Sequence, residues 1–136
     1  MIGIHRDPKQ ELLRSLPLFE ACSADELKDV AAIADELWLQ PGRALTREGA
    51  QGQEFVVLES GSADVYKHGE KVAAIGPGDF VGEIALLTGR PRSATVVVTS
   101  PALVLVIERH RFLDLVDRLP GVRHRLEAVV PLREAS

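Results

Sequence analysis

The sequence predicts a mainly β domain with flanking helices, in which about eight strands form an antiparallel jelly-roll barrel. Between residues 36 and 108, short apolar runs alternate with turns rich in glycine and proline, a pattern typical of such barrels. Before and after this region, apolar residues recur at the spacing of an α-helix. The chain of 136 residues shows no linker or low-complexity segment, so we expect a single domain, 1–136. Its parts are N-terminal helices (7–35), the barrel (36–108) and two C-terminal helices (109–131).

The N-terminal part, 7–35, is expected to contain two helical segments. The leucines between residues 12 and 16 form a short apolar helical face, which Pro17 interrupts because proline has no amide hydrogen to donate. Ser23 and Glu26 then have the spacing of a capping box, in which each side chain bonds the backbone amide of the other residue. This spacing, followed by apolar residues on one face, predicts a helix over 24–34.

The barrel is predicted from short runs that end at turn residues. Two further runs late in this region are rich in β-branched residues, which favour strands, and we expect them to pair across Ser100 and Pro101. The predicted strands are 37–39, 44–46, 55–58, 63–67, 72–75, 95–99 and 103–108, with a short strand leading into residue 82.

The C-terminal part is predicted to form two helices. The first has a single apolar face, and Pro120 and Gly121 separate it from the second. We expect the second helix to end at Pro131. Its apolar face is compatible with a homodimer, and packing against the barrel explains the same face equally well. The apolar residues are Phe112, Leu115, Val116 and Leu119 in the first helix, and Val122, Leu126, Val129 and Val130 in the second.

Composition excludes several classes of protein. The net charge of −4 argues against a nucleic-acid-binding protein, which would normally carry a basic patch. Cys22 is the only cysteine, so the chain has no intrachain disulfide, and a reducing compartment is favoured. The N-terminus lacks the apolar core of a signal peptide. The most apolar run, 94–107, falls short of the roughly 18 residues that span a bilayer. We therefore expect a cytoplasmic protein without a membrane segment of its own.

The stretch 80–96, which reads FVGEIALLTGRPRSATV, has the features of an anion-binding site. Gly82 allows the backbone to approach a ligand closely, and the helical turn after it has unsatisfied amides that suit an anion. The guanidinium of Arg92 can bind two phosphate oxygens at once, and the Ser93 hydroxyl is a further donor. The carboxylate of Glu83 would repel a phosphate, so we interpret it as an acceptor for neutral hydroxyls such as those of a ribose.

The motif VGEIALLTGRPRSATV resembles the phosphate-binding cassette of the cyclic-nucleotide-binding domain family. The segments RSLPLFEACSADEL, EFVVLESGSADVY and IGPGDFVGE are similar to other parts of that family, so the resemblance covers nearly the whole chain. It implies that Arg92 binds the exocyclic oxygens of the cyclic phosphate, with donors from Ala85, Ser93 and Ala94. It also implies that Glu83 and the Gly82 backbone hold the ribose 2′-OH.

The resemblance also bears on the walls of the pocket and on the choice of ligand. Val81 stands where the family commonly has an aromatic residue, and it is expected to form an apolar wall with Ile84 and Val72. Ser93, where other members have threonine, resembles members that prefer cAMP, so cAMP is expected as the ligand and cGMP is less favoured.

In the family the purine is usually covered by the last helix. The candidates here are Arg123, Arg125, Leu132 and Arg133, although a solvated charge or helix packing is the favoured interpretation of each. The resemblance implies a regulatory domain that is not an enzyme and that transmits binding through its C-terminal helices. The output would be an unknown effector protein or a further domain of a longer chain.

Two alternatives remain open from the sequence. The chain could be a degenerate member of the family that binds no nucleotide and serves only for protein interaction, although both Glu83 and Arg92 are retained. A jelly-roll enzyme of the cupin type is more remote, because such an enzyme needs clustered metal ligands. The four histidines are scattered, and no metal site is predicted: His5, His68, His110 and His124.

Overall fold

The computed structural model of the chain describes residues 8–135, with side chains described for residues 9–128. His5 lies outside the described residues. The helices are α1 (Pro8–Ser15), a 3₁₀ helix (Pro17–Phe19), α2 (Ala24–Ile33), α3 (Glu83–Thr88), α4 (Arg109–Arg118) and α5 (Pro120–Ala135). The strands are β1 (Asp35–Leu39), β2 (Ala44–Thr46), β3 (Glu54–Lys67), β4 (Glu70–Ile75), β5 (Phe80–Val81) and β6 (Thr95–Glu108).

The N-terminal helices form as the sequence predicts. Helix α1 ends just before Pro17, which begins the 3₁₀ helix. Helix α2 begins with a complete capping box: the Ser23 hydroxyl accepts from the Glu26 amide at 3.2 Å, and the Glu26 carboxylate accepts from the Ser23 amide at 2.8 Å. Two of the amides that a helix start leaves unsatisfied are therefore bonded, which fixes where α2 begins.

The strands form one antiparallel sheet with the order β1-β6-β3-β4, and β2 pairs with β6 while β5 pairs with β3. The predicted mainly β, antiparallel class is confirmed. The predicted number of strands is not, because the described residues contain six strands rather than about eight. The runs 55–58 and 63–67 belong to the single strand β3, and the runs 95–99 and 103–108 belong to β6. The two β6 runs therefore do not pair with each other.

The two long strands pass through the predicted turns because they bend there together. Their register shifts around Ser60 and Ser62 in β3, opposite Ser100 in β6. Gly61 at this bend has a φ of +89°, a conformation that side chains rarely adopt. A Cβ on Gly61 would also lie 2.5 Å from the Pro101 carbonyl oxygen. Glycine thus allows a bulged strand here where the sequence suggests a turn.

Alternation along β3 and β6 divides the apolar residues into two cores. The helix-side core joins the buried apolar residues of α1, the 3₁₀ helix, α2, α4 and α5, together with Leu86 of α3, to Phe55, Val57, Leu105 and Ile107 of the sheet. Within it, the ring of Phe55 stacks on that of Phe112 with centroids 4.4 Å apart, which ties β3 to α4. The barrel core lies on the other face and consists of Val56, Leu58, Ala63, Val81, Val96, Val98, Ala102 and Val104.

The last helix is longer than the sequence suggests. Helix α5 continues through Pro131 to Ala135, so the expectation that it ends at Pro131 is wrong. Proline removes one amide donor from the helix but does not prevent the following residues from remaining helical. Helix α5 contacts α3, α4 and the 3₁₀ helix. Among the described residues, no helix is long and apolar enough to cross a membrane.

Candidate functional site

A cavity of about 360 Å³ opens beside the barrel core, between β3, β4, α3 and the segment that leads into β6. The structure places every predicted phosphate, ribose and wall residue on its lining: Val72, Val81, Gly82, Glu83, Ile84, Ala85, Arg92, Ser93 and Ala94. Seven further lining residues were not singled out from the sequence: Thr46, Val65, Lys67, Ala73, Ile75, Phe80 and Val96.

Arg92 is the anchor of one end of this cavity. Its side chain is only 8% exposed, and its two terminal nitrogens donate to the Gly82 carbonyl at 3.1 Å and to the Glu54 carbonyl at 2.7 Å. Its backbone is also held, because its amide donates to the Ala50 carbonyl at 2.7 Å and its carbonyl accepts from Gly49 at 2.8 Å. These hydrogen bonds to the protein fix the position of the guanidinium, and a binding group that is already fixed lowers the entropy cost of binding.

Gly82 makes this close packing around Arg92 possible. It caps the start of α3 with a φ of +99°, and a Cβ built on it would overlap the guanidinium of Arg92 and lie 2.7 Å from the Glu54 carbonyl oxygen. Any side chain at this position would displace the arginine. The glycine that the sequence predicts for close approach to a ligand is thus also required for approach to Arg92.

The electrostatics of this end are set by one buried cation and one buried carboxylate. Glu83 is only 1% exposed and lines the cavity in the first turn of α3. Burial lowers the pKa of Arg92 from its ordinary value, while the nearby carboxylates of Glu54 and Glu83 oppose that shift. The two carboxylates thus help to keep the buried guanidinium protonated, and the positive charge of the guanidinium offsets the negative charge of Glu83.

Several donors face the cavity at this end. The guanidinium has five N–H groups in fixed directions, of which two are used by the carbonyls of Gly82 and Glu54. The Ser93 side chain is exposed and lines the cavity. The short helix α3 begins here, and its first amides lack partners within the helix. Together these groups suit an anion with several oxygens, such as a phosphate.

The opposite wall comes from the β3–β4 hairpin and is mainly apolar, with Lys67 as the charged residue that the hairpin contributes to the lining. Val65 of β3 lies opposite Ala73 of β4, and Val72 and Ile75 extend the same wall. Val72 is 54% exposed, which places it at the open side of the cavity. One end of the cavity is therefore charged and hydrogen-bonding, and the other offers an apolar surface for a flat group such as a base.

Two residues that support Arg92 were missed by sequence reasoning. Gly52 lies under the cassette, and a Cβ on it would be 2.7 Å from the Ala85 Cβ and 3.4 Å from the Arg92 Cζ. Glu54 contributes through its backbone carbonyl, which carries no sequence signal. Gly52 has the sequence signature of an ordinary turn residue, and the signal that could have identified it is that a glycine next to a strand can also mark a close approach of the backbone to another group.

The candidate base caps are not brought to the cavity where their side chains are described. Arg123 forms an ion pair with Asp117, and Arg125 bonds the Glu20 carboxylate at 2.6 Å beside the 3₁₀ helix. Neither arginine lines the cavity. Leu132 and Arg133 lie outside the described side chains.

The cassette helix α3 is connected to the C-terminal helices. Leu86 of α3 belongs to the helix-side core, which also contains Val122 and Leu126 of α5. Helix α3 contacts both α4 and α5. The cavity therefore lies on one face of α3 and the C-terminal helices on another. In the part of the chain that the structure describes, no group of three or more histidine, cysteine or acidic residues is placed to hold a metal ion.

Comparison with known proteins identifies a family. Residues 36–119 match the family model described as "Cyclic nucleotide-binding domain". This range contains the sheet except for Asp35, the first residue of β1, and it contains the cassette and ends at the last residue before α5.

Individual relatives agree with the family match. The cAMP-dependent protein kinase regulatory subunit of Colletotrichum orbiculare is 33% identical over 118 residues, covering 85% of this chain and 30% of that protein. The acetyltransferase Pat of Mycolicibacterium smegmatis is 36% identical over 129 residues, covering 91% of this chain and 38% of that protein. The regulatory domain of Toxoplasma gondii protein kinase A, solved with cAMP, superposes with a TM-score of 0.79 at 27% identity, covering 88% of this chain and 47% of that one. The chain thus spans less than half of the length of each of these relatives.

Proposed function

Since the chain belongs to the cyclic nucleotide-binding domain family, we propose that it binds cAMP and acts as a regulatory domain. The observation that carries this proposal is the pre-positioned Arg92, which is buried at the polar end of a cavity whose other end is apolar. A cyclic nucleotide has matching ends, because its phosphate is anionic and its purine is flat and largely apolar.

The proposed contacts follow from the chemistry of the cavity. The cyclic phosphate would accept hydrogen bonds from Arg92, from the Ser93 hydroxyl, and from the amides of Ala85 and Ala94. The ribose 2′-OH would donate to the Glu83 carboxylate, beside the Gly82 backbone. A charge-assisted bond to a buried arginine is stronger than a bond between neutral groups. This difference favours a cyclic nucleotide over its uncharged nucleoside.

The base is proposed to lie along Val72, Val81 and Ile84, with the hairpin residues Val65 and Ala73 beside them. Ser93 and the similarity to kinase regulatory subunits support cAMP over cGMP. The related Toxoplasma gondii domain was solved with cAMP. A cap over the base from Arg123, Arg125, Leu132 or Arg133 remains a proposal, and the ion pairs of the two described arginines argue against the first two.

Signal transmission is proposed to run from α3 to the C-terminal helices. A ligand that contacts the cavity face of α3 would favour one position of that helix, and Leu86 would pass the change to Val122 and Leu126. A ligand shifts such an equilibrium only by its difference in affinity for the two positions. The output would be an effector protein or another domain, and the domain itself is proposed to bind rather than to catalyse.

A thermal-shift measurement with cAMP and cGMP tests the proposal. A ligand that binds only the folded state stabilises it by RT ln(1 + [L]/Kd), about 2.7 kcal/mol at a hundredfold excess over Kd. We expect cAMP to raise the midpoint more than cGMP does, and we expect Arg92→Ala to remove the shift. Arg90→Ala is the matched control, because Arg90 is exposed in the same cassette and does not line the cavity. A wild-type domain with no shift at millimolar nucleotide would instead support a protein-interaction domain.

A further inference from the structure

Glu59 is a buried carboxylate that lies outside the nucleotide cavity. It is 7% exposed, and no N–H or hydroxyl group of a described residue donates a hydrogen bond to either of its carboxylate oxygens. It lies in β3 between Leu58 and Ser60, where the pairing of β3 with β6 shifts register. An ionised carboxylate buried without hydrogen-bond donors is costly, so this position requires either a donor or a proton.

Glu36 of β1 lies across β6 from Glu59, because the sheet order is β1-β6-β3. Glu36 lies opposite Leu105 of β6, and Leu105 lies opposite Val57 of β3. The register shift leaves Glu59 as the extra, unpaired residue of a bulge, and its burial and its interaction with Glu36 place its side chain on the side of the sheet that Glu36 occupies. The carboxyl of Glu36 is close enough to bond and to repel the carboxyl of Glu59.

Lys9 of α1 supplies the third charge that acts on Glu59. Its ammonium donates to the carbonyls of Ala31 at 3.1 Å and Ala34 at 2.7 Å, at the C-terminal end of α2. Among the residues that the structure describes, the charged groups that act on Glu59 are Glu36 from β1 and Lys9 from α1, while β6 presents apolar residues at this position. Lys9 is committed to two backbone carbonyls and offsets only part of the repulsion between the carboxylates.

A proton is the donor that this pair lacks. Two ionised carboxylates can only accept hydrogen bonds, whereas a protonated carboxyl donates to an ionised one and removes one of the two charges. We propose that Glu59 and Glu36 share one proton in the folded domain, that this proton holds β1 against the sheet, and that β1 loosens when the proton is lost. The domain would thereby carry a pH-sensitive site that is separate from the nucleotide cavity.

The pH range follows from the environment of Glu59. Burial, then the hydrogen bond to Glu36 and its charge, raise the pKa of Glu59 to about 7, and Lys9 opposes this. The folded state therefore binds more protons than the unfolded chain does between the ordinary value of 4.5 and about 7. The stability that this group contributes is full below 4.5, falls as the pH rises through that window, and is lost above it.

Trp38 provides a built-in reporter for this site. It is the only tryptophan in the chain, it is 66% exposed, and it lies on β1 two residues from Glu36. Its fluorescence should be recorded from pH 5 to pH 9 in the wild type, in Glu59→Gln and in the matched control Glu127→Gln, an exposed carboxyl on α5. We expect a transition near pH 7 in the wild type and the control, and its loss in Glu59→Gln.

Two further variants keep the test independent of how well Glu59→Gln folds. Lys9→Met removes the cation and should move the transition to higher pH, whereas Glu36→Gln removes the repulsion and should move it to lower pH. The melting midpoint of Glu59→Gln should exceed that of the wild type at pH 8.5 by more than it does at pH 5.5. A fluorescence transition that persists unchanged in Glu59→Gln belongs to another group, such as a histidine, and overturns the proposal. The proposal is also overturned if the pH midpoints of the transition in Lys9→Met and Glu36→Gln equal the wild-type value.

Discussion

Gly52→Ala is expected to displace the residues of the proposed nucleotide site, although Gly52 itself is not expected to contact the ligand. The added Cβ would lie 2.7 Å from the Ala85 Cβ, which is 0.7 Å inside the 3.4 Å limit of ordinary contact. Alanine at position 85 has no rotatable side chain, so the contact is relieved only if the backbone of α3 or of the segment around Gly52 moves. The new Cβ would lie 3.4 Å from the Cζ and Nε of Arg92, at the limit of ordinary contact, so any movement that relieves the overlap with Ala85 also affects the surroundings of Arg92.

The expected size of the effect follows from this overlap. Forcing an extra methyl group into a packed interior costs about 1–3 kcal/mol, so the free energy of unfolding should fall by this amount. Movement of α3 and Arg92 should also weaken cAMP binding at least about fivefold, because a misplacement that costs 1 kcal/mol changes an equilibrium constant by that factor. Urea unfolding measures the first effect, and titration calorimetry with cAMP measures the second.

Gly76→Ala is the matched control for Gly52→Ala. Gly76 lies in the turn after β4, and a Cβ on it would meet no atom within 4 Å. The hydrogen bond that its backbone N–H donates to the Asp79 carboxylate at 2.9 Å would be retained. We expect a change in stability within about 0.5 kcal/mol and an unchanged affinity for cAMP. If the two alanine variants had equal stability and equal affinity, the reasoning that Gly52 is required under Arg92 would be refuted.

Three other variants test the fold and the proposed base cap. Gly61→Ala should lower the free energy of unfolding by more than 1 kcal/mol in urea titrations, because its φ is positive and a Cβ would meet the β6 backbone; an unchanged midpoint would contradict the bend described for β3. Ser23→Ala should lower the free energy of unfolding by about 1 kcal/mol through loss of the capping box. In a thermal melt followed by circular dichroism, the helical signal of this variant should be lost at a lower temperature than that of the wild type. Arg125→Ala should leave cAMP affinity within twofold, because its partner is Glu20 and not the cavity; a tenfold loss by calorimetry would identify Arg125 as a base cap after all.

The cassette could be predicted from sequence because its chemistry is local. Gly82, Glu83 and Arg92 lie within eleven residues, and their types and spacing indicate an anion site with a hydroxyl acceptor beside it. The structure adds that Arg92 is held by two backbone carbonyls, one of them from Glu54, which is 38 residues away in the chain. Sequence patterns carry no information on backbone carbonyls that meet only after the chain folds.

The strand count failed for a different physical reason. Ser60, Gly61 and Ser62 have the composition of a turn, but β3 continues through them because β6 bends beside it and its backbone needs a residue without a Cβ. Local propensity suggested a turn, and tertiary pairing overrode it. The same pairing carries β6 through Ser100 and Pro101, which the sequence alone suggested as a hairpin.

The limit of α5 was also misjudged from a local rule. Pro131 was expected to stop the helix, yet the helix continues to Ala135. Proline removes one hydrogen bond and its ring crowds the carbonyl four residues earlier, which disfavours a helix without forbidding it, so Pro131 is not a necessary boundary of α5. The buried Glu59 was not noticed in the sequence, because a glutamate before a glycine-containing bend is normally exposed.

The most direct measurement of the central claim is the affinity of the purified domain for cAMP, by isothermal titration calorimetry, in the wild type and in Arg92→Ala. Loss of charge-assisted bonds from a buried arginine costs about 1.5–3 kcal/mol, or roughly 10- to 150-fold in Kd. The account predicts saturable binding of one cAMP per chain that weakens by at least tenfold in Arg92→Ala and is unchanged in Arg90→Ala. Equal affinities for cAMP in the wild type and in Arg92→Ala would contradict it.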